Sequence, residues 1–478
     1  METPYGTLPD LPAGRLTMAE ADAILRRNVV TRRRLLRGAL VAAATGPVLW
    51  SKPGIAAVAP SGEHLVFGAD ASREVVVSWS TPANVARPFL DLGRDRAYGL
   101  TFAAESRAVA AGGTVYHHVR LPALAPDTTY HYRVRHAGGS TAGRTFRTAA
   151  GVPRPFRFTA FGDQGTSPAA VTTMSRVVAL KPAFHVVAGD LCYAAAGGSG
   201  RPDDSADPAV WDRWFAMNRA ATATTPWMPA VGNHDMEYGE GAHGYGGFHS
   251  RFALPRNGAG GAPHTYWFRY GNVAVVALDA NDASFEIPAN LGWLGDAQDR
   301  WLDRTLKALR ADPRVDFVVV TFHHCAYSTN AGHASDAGVR TRWTPLFDRH
   351  GVDLVVNGHN HGYERTHPLR AGQAVAQAPT GSTVEAAHGT TYVTAGGGGQ
   401  TGVPVSLFPA SFVFVEGGLR EPETALWSAA RHMDLSVLVA DVDPGRGGGT
   451  ASMRLRAVKP DGTVVDDVTL RRTARAAR

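Results

Sequence analysis

Two stretches decide how this chain folds: Phe158-Thr159-Ala160-Phe161-Gly162-Asp163-Gln164-Gly165 and Val186-Val187-Ala188-Gly189-Asp190-Leu191-Cys192-Tyr193. Each is an apolar run ending in Gly-Asp, and residues 168–180 between them have helical character. Three more apolar runs end the same way. Met228-Pro229-Ala230-Val231 leads into Gly232-Asn233-His234-Asp235, Val318-Val319-Val320-Thr321-Phe322 into His323-His324, and Leu354-Val355-Val356-Asn357 into Gly358-His359-Asn360-His361. Helical stretches at 297–310 and 339–350 separate strands at 273–278, 315–322 and 352–356. Strands alternating with helices predict βαβ units around a buried sheet. Ligands of an open α/β sheet bind beyond the carboxyl ends of its strands, so the five polar blocks are expected to converge on one crevice. A glycine ahead of the polar residue permits the sharp turn and close approach that such a site demands.

Working outward, 478 residues are too many for one ordinary domain. Residues 60–150 read as an all-β unit, with strand-type runs such as Val75-Val76-Val77-Ser78-Trp79 and Tyr130-His131-Tyr132-Arg133-Val134 between Gly/Pro/Asp clusters. The stretch from Leu121 to Tyr130 resembles the tyrosine-corner turn of fibronectin type III sandwiches. The catalytic unit is expected over 151–425, interrupted by loops at 194–208 and 239–263. Short strands at 426–478, including 435–439 and 453–458, form a β appendage that packs on it.

The chain is 44% apolar and 19% charged, a globular composition. Its basic pI of about 9.4 is misleading as a guide to partners. Residues 1–59 hold eight of the 48 Lys/Arg and four of the 42 Asp/Glu, leaving 40 against 38 for the rest. With no basic stripe interleaved with aromatics, nucleic acid is not an expected partner. The leader carries Thr31-Arg32-Arg33-Arg34-Leu35-Leu36-Arg37, then an apolar run from Gly38 to Trp50 and small residues at 56–59. That order matches a twin-arginine (Tat) export signal, so a secreted or cell-envelope location is expected, with no membrane contact after export. Two cysteines, Cys192 and Cys325, provide no disulfide framework.

Carboxylate, imidazole, amide oxygen and phenolate are donors for hard metal ions. Two cations about 3.5–4 Å apart can clamp the attacking and leaving oxygens of an in-line displacement, and a shared carboxylate holds that spacing. The ordered set Asp-x-Gly, Gly-Asp-x-x-Tyr, Gly-Asn-His-Asp, strand-terminal His and Gly-His-x-His resembles the purple acid phosphatase branch of the calcineurin-like metallophosphoesterases. The likeness covers roughly residues 60–478. It implies an α/β fold, a calcineurin-like β-sandwich flanked by helices and preceded by a fibronectin III-like domain. It also implies hydrolysis of phosphate monoesters by a metal-bound hydroxide. By motif, Asp163, Asp190, Tyr193 and His361 hold a first metal, Fe(III) because the donor is a phenolate. Asp190, Asn233, His323 and His359 hold a second, which is Fe(II), Zn or Mn. His234 then acts on the phosphate or leaving oxygen as general acid, and His333 stands near the family's extra substrate-side histidine.

The alternatives in function are a phosphodiesterase of the same superfamily and a non-catalytic exported binding protein with structural metals. His324 reads as a packed or surface histidine, and His243, His249 and His264 as part of a solvated or substrate-fringing loop. Residues 396–399, all glycine, lack the following Lys-Ser/Thr of a phosphate loop and read as a tight turn. Arg471, Arg472, Arg475 and Arg478 read as a solvated tail. Cys192 and Cys325 each lie two residues beyond an expected ligand, which suggests a disulfide bracing the site in an exported protein.

Overall fold

The computed structural model describes residues 58–473 apart from 83–84, 111, 203, 261, 402–409 and 446–448. The expected leader, except its last two residues, and Arg475 and Arg478 lie outside the described residues.

Residues 58–147 form two facing antiparallel sheets. One runs in spatial order Ser61–Phe67, Val75–Pro82, Thr114–Leu121, Glu105–Ala108, and the other Leu100–Ala103, Phe89–Gly93, Thr129–His136, Gly139–Ser140, with Arg144–Arg147 also on Thr129–His136. Burial alternates along Thr129–His136, the period of a strand with one face on a core. Ala125 N donates to Tyr130 Oη at 2.9 Å, the bond that a tyrosine corner makes. This unit sits firmly on the rest of the chain. Arg219 pairs with the buried Glu63 at 2.8 Å, Tyr132 Oη donates to Ala223 O at 2.6 Å, and His64 Nε2 lies 2.9 Å from Arg251 O.

Two seven-stranded sheets follow. The first runs Trp227–Ala230, Phe184–Ala188, Phe156–Phe161, Val437–Asp443, Thr450–Val458, Val464–Thr473, Ser382–Glu385. The second runs Tyr266–Tyr270, Val273–Ala277, Phe317–Thr321, Leu354–Asn357, Thr391–Ala395, Tyr363–Thr366, Ser428–His432. The strands that carry the polar blocks pair in parallel within each sheet, and Phe184–Ala188 and Phe317–Thr321 are buried on both faces, which is why they read as unbroken apolar runs. Alternation decides which way each residue faces. Val275, Phe317 and Val319 join the large core containing Phe158, Val186 and Leu438, while Val276, Val318 and Val320 meet Leu302, Leu306, Trp343 and Phe347 on helices Ala297–Ala311 and Ala337–His350.

The helices expected near 168–180, 297–310 and 339–350 are present. Ser167 caps the first, accepting from Ala170 N, with Pro168 opening the helix. Among the described residues no helix is long and apolar enough to cross a membrane.

Two expectations about the surface are corrected. Arg471 and Arg472 are not a solvated tail: they lie in strand Val464–Thr473, where Arg471 meets Glu385 at 3.0 Å and Arg472 meets the buried Asp353. Nor is the 239–263 segment a solvated loop. His264 is fully buried, its Nε2 3.1 Å from Asp279 Oδ2 and its Nδ1 2.8 Å from His249 Nε2, and His243 packs on Trp293. Asp279 also accepts from Tyr245 Oη and Trp293 Nε1, so partners distant in sequence bury the segment.

Residues 428–473 supply strands to both sheets, and one buried ion pair ties them in. Asp466 accepts from Arg365 Nε at 2.6 Å and Nη2 at 3.0 Å, from Tyr363 Oη at 2.8 Å and from Thr380 Oγ1 at 2.6 Å. Removing one partner of such a pair leaves an uncompensated buried charge. Asp466→Ala is therefore expected to lose about 3–5 kcal/mol of stability in denaturant unfolding, and an unchanged midpoint would refute the assignment.

Candidate metal centre

All five polar blocks come together at the carboxyl ends of their strands, across the top of both sheets. The local chain is strained to do this. Asp163, Asp190, Tyr193 and His359 have φ of 59°, 52°, 61° and 66°, in the left-handed region that non-glycine residues avoid. Hydrogen bonds hold the strain. Asp235 Oδ2 accepts from Asp190 N at 2.9 Å and Gly232 N at 2.8 Å, while its Oδ1 accepts from Leu191 N at 3.0 Å. His359 N donates to both Asp163 oxygens, at 3.1 and 2.8 Å. Two glycines are required by contact. A Cβ at Gly232 would collide with Asp190 Oδ1, and one at Gly189 with the His323 ring.

One half of the site gathers Tyr193 Oη, 3.2 Å from both Asp163 Oδ1 and His361 Nε2, with His361 Nε2 3.7 Å from Asp163 Oδ1. The other half gathers Asp190 Oδ2 and His323 Nε2 at 3.1 Å, and His323 Nε2 and His359 Nδ1 at 3.1 Å. The tautomers here follow from the outer partners. His323 Nδ1 faces Ala188 O at 2.8 Å and His359 Nε2 faces Glu286 Oε2 at 2.8 Å; both oxygens only accept, so both of those nitrogens carry the proton. Once His323 gives up its Nε2 proton, the two remaining nitrogens carry lone pairs that point at each other beside the Asp190 carboxylate. Asn233 adds a third donor of this kind: its Nδ2 donates to Gly198 O at 3.2 Å, while its buried Oδ1 has no hydrogen-bond partner. Converging lone pairs and an orphaned amide oxygen fit a cation.

Charge points the same way. Burial, reinforced by Asp190, raises the Asp163 carboxyl well above its ordinary value and pushes Asp235 up to about 7. Burial also raises the Tyr193 phenol, with Asp163 and Asp190 adding to it. Against burial, Asp190 lifts His323 to about 9, and the charges of His323 and His234 hold Asp190 below the usual carboxylate range. Burial lowers His359 to about 3 and His361 to about 4, with His333 adding to both. Burial and the crowding of charged groups thus move these residues away from their ordinary values in both directions.

His234 flanks the site: its Nδ1 lies 2.7 Å from Ala195 O, its Nε2 3.9 Å from Asp190 Oδ2, and its ring packs on Tyr193 at 4.5 Å. His333 is brought in too, its ring 4.0 Å from that of His359. His324 is fully buried, packed at 4.2 Å on His359. The expected disulfide is absent. Cys192 and Cys325 are free and buried; Cys192 lies in the main apolar core, whereas Cys325 Sγ donates to Gly358 O at 3.0 Å.

Sequence reading missed two residues. Asp235 stood in the Gly-Asn-His-Asp block with no role assigned to it, and its role as a clamp on three backbone N–H groups is not visible in a motif. Glu286, which joins His359 to His333 Nδ1 (2.6 Å), follows strand Val273–Ala277. That strand also ends at this edge of the sheet, and its loop was the one signal available.

Metal ligands must shed their protons, and here Tyr193 and His323 hold theirs at neutral pH. Loading the metal-free protein at pH 7 is expected to release about two protons per chain, with affinity falling as pH falls. Metal titration in weakly buffered indicator dye measures this; loading without proton release would contradict the site's electrostatics.

Comparison with known proteins gives this arrangement a family. Residues 60–148 match the model of the purple acid phosphatase N-terminal domain, and residues 156–363 that of the calcineurin-like phosphoesterases. An uncharacterised protein of Mycobacterium tuberculosis is 35% identical, over 89% of this chain and 90% of its own length. Purple acid phosphatase 15 of Arabidopsis thaliana is 26% identical, over 53% of this chain and 49% of that protein. The structure of a purple acid phosphatase isolated from yellow lupin (Lupinus luteus) seeds shares the fold, with a TM-score of 0.69 at 21% identity, covering 88% of this chain and 76% of that one. The chain belongs to the purple acid phosphatase branch of the calcineurin-like metallophosphoesterases.

Proposed function

We propose that this protein hydrolyses phosphate monoesters at a binuclear metal centre. Asp163, Asp190, Tyr193 and His361 would hold one ion and Asp190, Asn233, His323 and His359 the other. The observation that carries this reading is the pair of facing ring nitrogens, His323 Nε2 and His359 Nδ1, set beside Asp190 Oδ2. Two bound cations would supply Lewis-acid activation of water and neutralise charge on the phosphate. A phenolate donor at Tyr193 favours a ferric ion in the first site, and iron, zinc or manganese suits the second.

The chain's own groups set orientation and proton traffic. Asp163, Asn233, His323 and His359 are almost wholly buried, whereas His234, His361 and His333 are 17%, 28% and 38% exposed. Substrate therefore approaches from the side of these three histidines. The Ala195 carbonyl fixes His234 Nδ1 as a donor, so Nε2 is the atom turned to the phosphate. Protonated, it donates to the developing charge on the leaving oxygen. Tyr193 packs against the ring and keeps it in place. A structural metal site would need no such exposed histidine at its mouth, which weighs against a purely binding role. The leader motif supports export by the twin-arginine route, which carries folded proteins.

His234→Ala is expected to lower kcat by about 10²–10⁴ on para-nitrophenyl phosphate while leaving bound metal unchanged. An unaltered kcat would remove His234 from the mechanism. Purified protein is expected to show a ferric–tyrosinate visible band that Tyr193→Phe abolishes. A colourless active protein would overturn the ferric assignment and leave the phosphoesterase standing. Faster turnover of bis-para-nitrophenyl phosphate than of the monoester would favour the diesterase alternative.

A further inference from the structure

The Glu286 carboxylate touches both a proposed metal ligand and a substrate-side histidine. Its Oε2 lies 2.8 Å from His359 Nε2 and its Oε1 2.6 Å from His333 Nδ1, and the two rings lie 4.0 Å apart at 41°. The loop that carries it is pinned. Ser284 Oγ accepts from Glu286 N at 3.0 Å and donates to Asp336 Oδ2 at 2.5 Å. Asp336 in turn caps helix Ala337–His350, accepting from Gly338 N at 2.7 Å. From the other side, Asn360, next to His359, accepts from His333 N at 3.2 Å. Helix cap, carboxylate, metal ligand and substrate-side histidine thus form one connected chain of hydrogen bonds.

We infer that Glu286 is a positioning residue that sets the tautomer and orientation of both histidines at once. This rests on the binuclear reading of the site. Each carboxylate oxygen only accepts, so His359 must present N–H at Nε2, leaving the Nδ1 lone pair for the second ion. His333 likewise presents N–H at Nδ1, and its Nε2 is the atom left for substrate. A carboxylate is required rather than an amide. Glutamine has nearly the same shape but offers one acceptor and one donor, so one histidine must turn its lone pair outward. Glu286 thereby couples two steps that motif reading treats separately, holding the second ion and engaging the substrate. The same three side chains place ligand atoms within 4.8 Å of one another and so form a possible chelate for an ion of their own. Separations of 2.6 and 2.8 Å are hydrogen-bond distances, and they favour positioning.

The test is metal retention by full-length protein during dialysis against graded free-metal buffers, read by elemental analysis, for wild type, Glu286→Gln and His333→Ala. Far-ultraviolet circular dichroism and a cooperative melt confirm that each variant is folded. Wild type is expected to hold two ions. Glu286→Gln is expected to keep one ion at wild-type affinity and to need about 10–100-fold more free metal for the second. His333→Ala, which touches Glu286 but is no ligand, is expected to bind both ions within about twofold of wild type, by the near-additivity of groups outside the shell. At saturating metal, adding Glu286→Gln to His333→Ala is expected to cost less in kcat than it does alone, because both act through the same histidine. Equal affinity for both ions in wild type and Glu286→Gln would overturn the inference. So would three ions in wild type and two in the variant, since Glu286 would then be a ligand of a separate ion. Wild type that holds no ion would overturn the binuclear reading, and this inference with it.

Discussion

The Asp190 carboxylate is the fixed point around which the site is arranged. One oxygen accepts from His234 N at 2.9 Å, and the other faces His323 Nε2 at 3.1 Å and His234 Nε2 at 3.9 Å. Its own backbone N–H is held by Asp235, and Gly232 leaves room for its oxygen. His359 N ties the two halves of the cluster together, donating to both Asp163 oxygens. Phe184–Ala188 delivers Asp190 from the first sheet, while Phe317–Thr321 and Leu354–Asn357 deliver His323 and His359 from the second. The packing of one sheet on the other therefore fixes the distance between the donors. Val186, Val319 and Val356 share the core that sets that packing.

This geometry is costly in isolation. Left-handed backbone at four non-glycine residues costs of order 1–3 kcal/mol each, and burying several acidic groups together adds to it. Such strain persists where the surroundings over-determine the conformation. Here Asp235 and the backbone of His359 do so, through hydrogen bonds to Asp190 N and the Asp163 carboxylate. These hydrogen bonds come from the protein's own groups, an arrangement that suits a metal centre.

Much of this was legible in the sequence because a parallel strand buried on both faces leaves an unbroken apolar run, and the first polar residue after it marks the crevice. Asp163, Asp190, Asn233, His323 and His359 all stood out for that reason, and Tyr193 and His361 through the resemblance of their blocks to the family's motifs. What escaped notice depends on partners remote in sequence. Glu286 follows a strand without a Gly-polar block, and its histidines lie 47 and 73 residues away. The 239–263 segment looked solvated because glycine and histidine dominate it, yet Asp279 gathers Tyr245, His264 and Trp293 into a buried network. Helix Ala209–Thr222 carries its period in Trp211, Trp214, Phe215 and Asn218, but it opens at Pro208 without a side-chain cap, straight after a Gly/Asp/Pro-rich loop. The suspected disulfide failed because side-chain direction, not distance along the chain from a ligand, decides whether two thiols meet.

The N-terminal sandwich contributes through contact rather than chemistry. It buries Glu63 against Arg219 and holds the carbonyls of Ser250 and Arg251 with His118 and His64, beneath the segment whose Tyr245 reaches Asp279. That segment joins the metal site through Asn281, which donates to both Gly232 O and Tyr245 Oη. The account as a whole requires two ions on either side of one carboxylate. Anomalous diffraction from crystals grown with manganese measures this directly. Two peaks about 3.5–4 Å apart, flanking the Asp190 carboxylate, are the predicted result; a single peak, or peaks remote from Asp190, would contradict it.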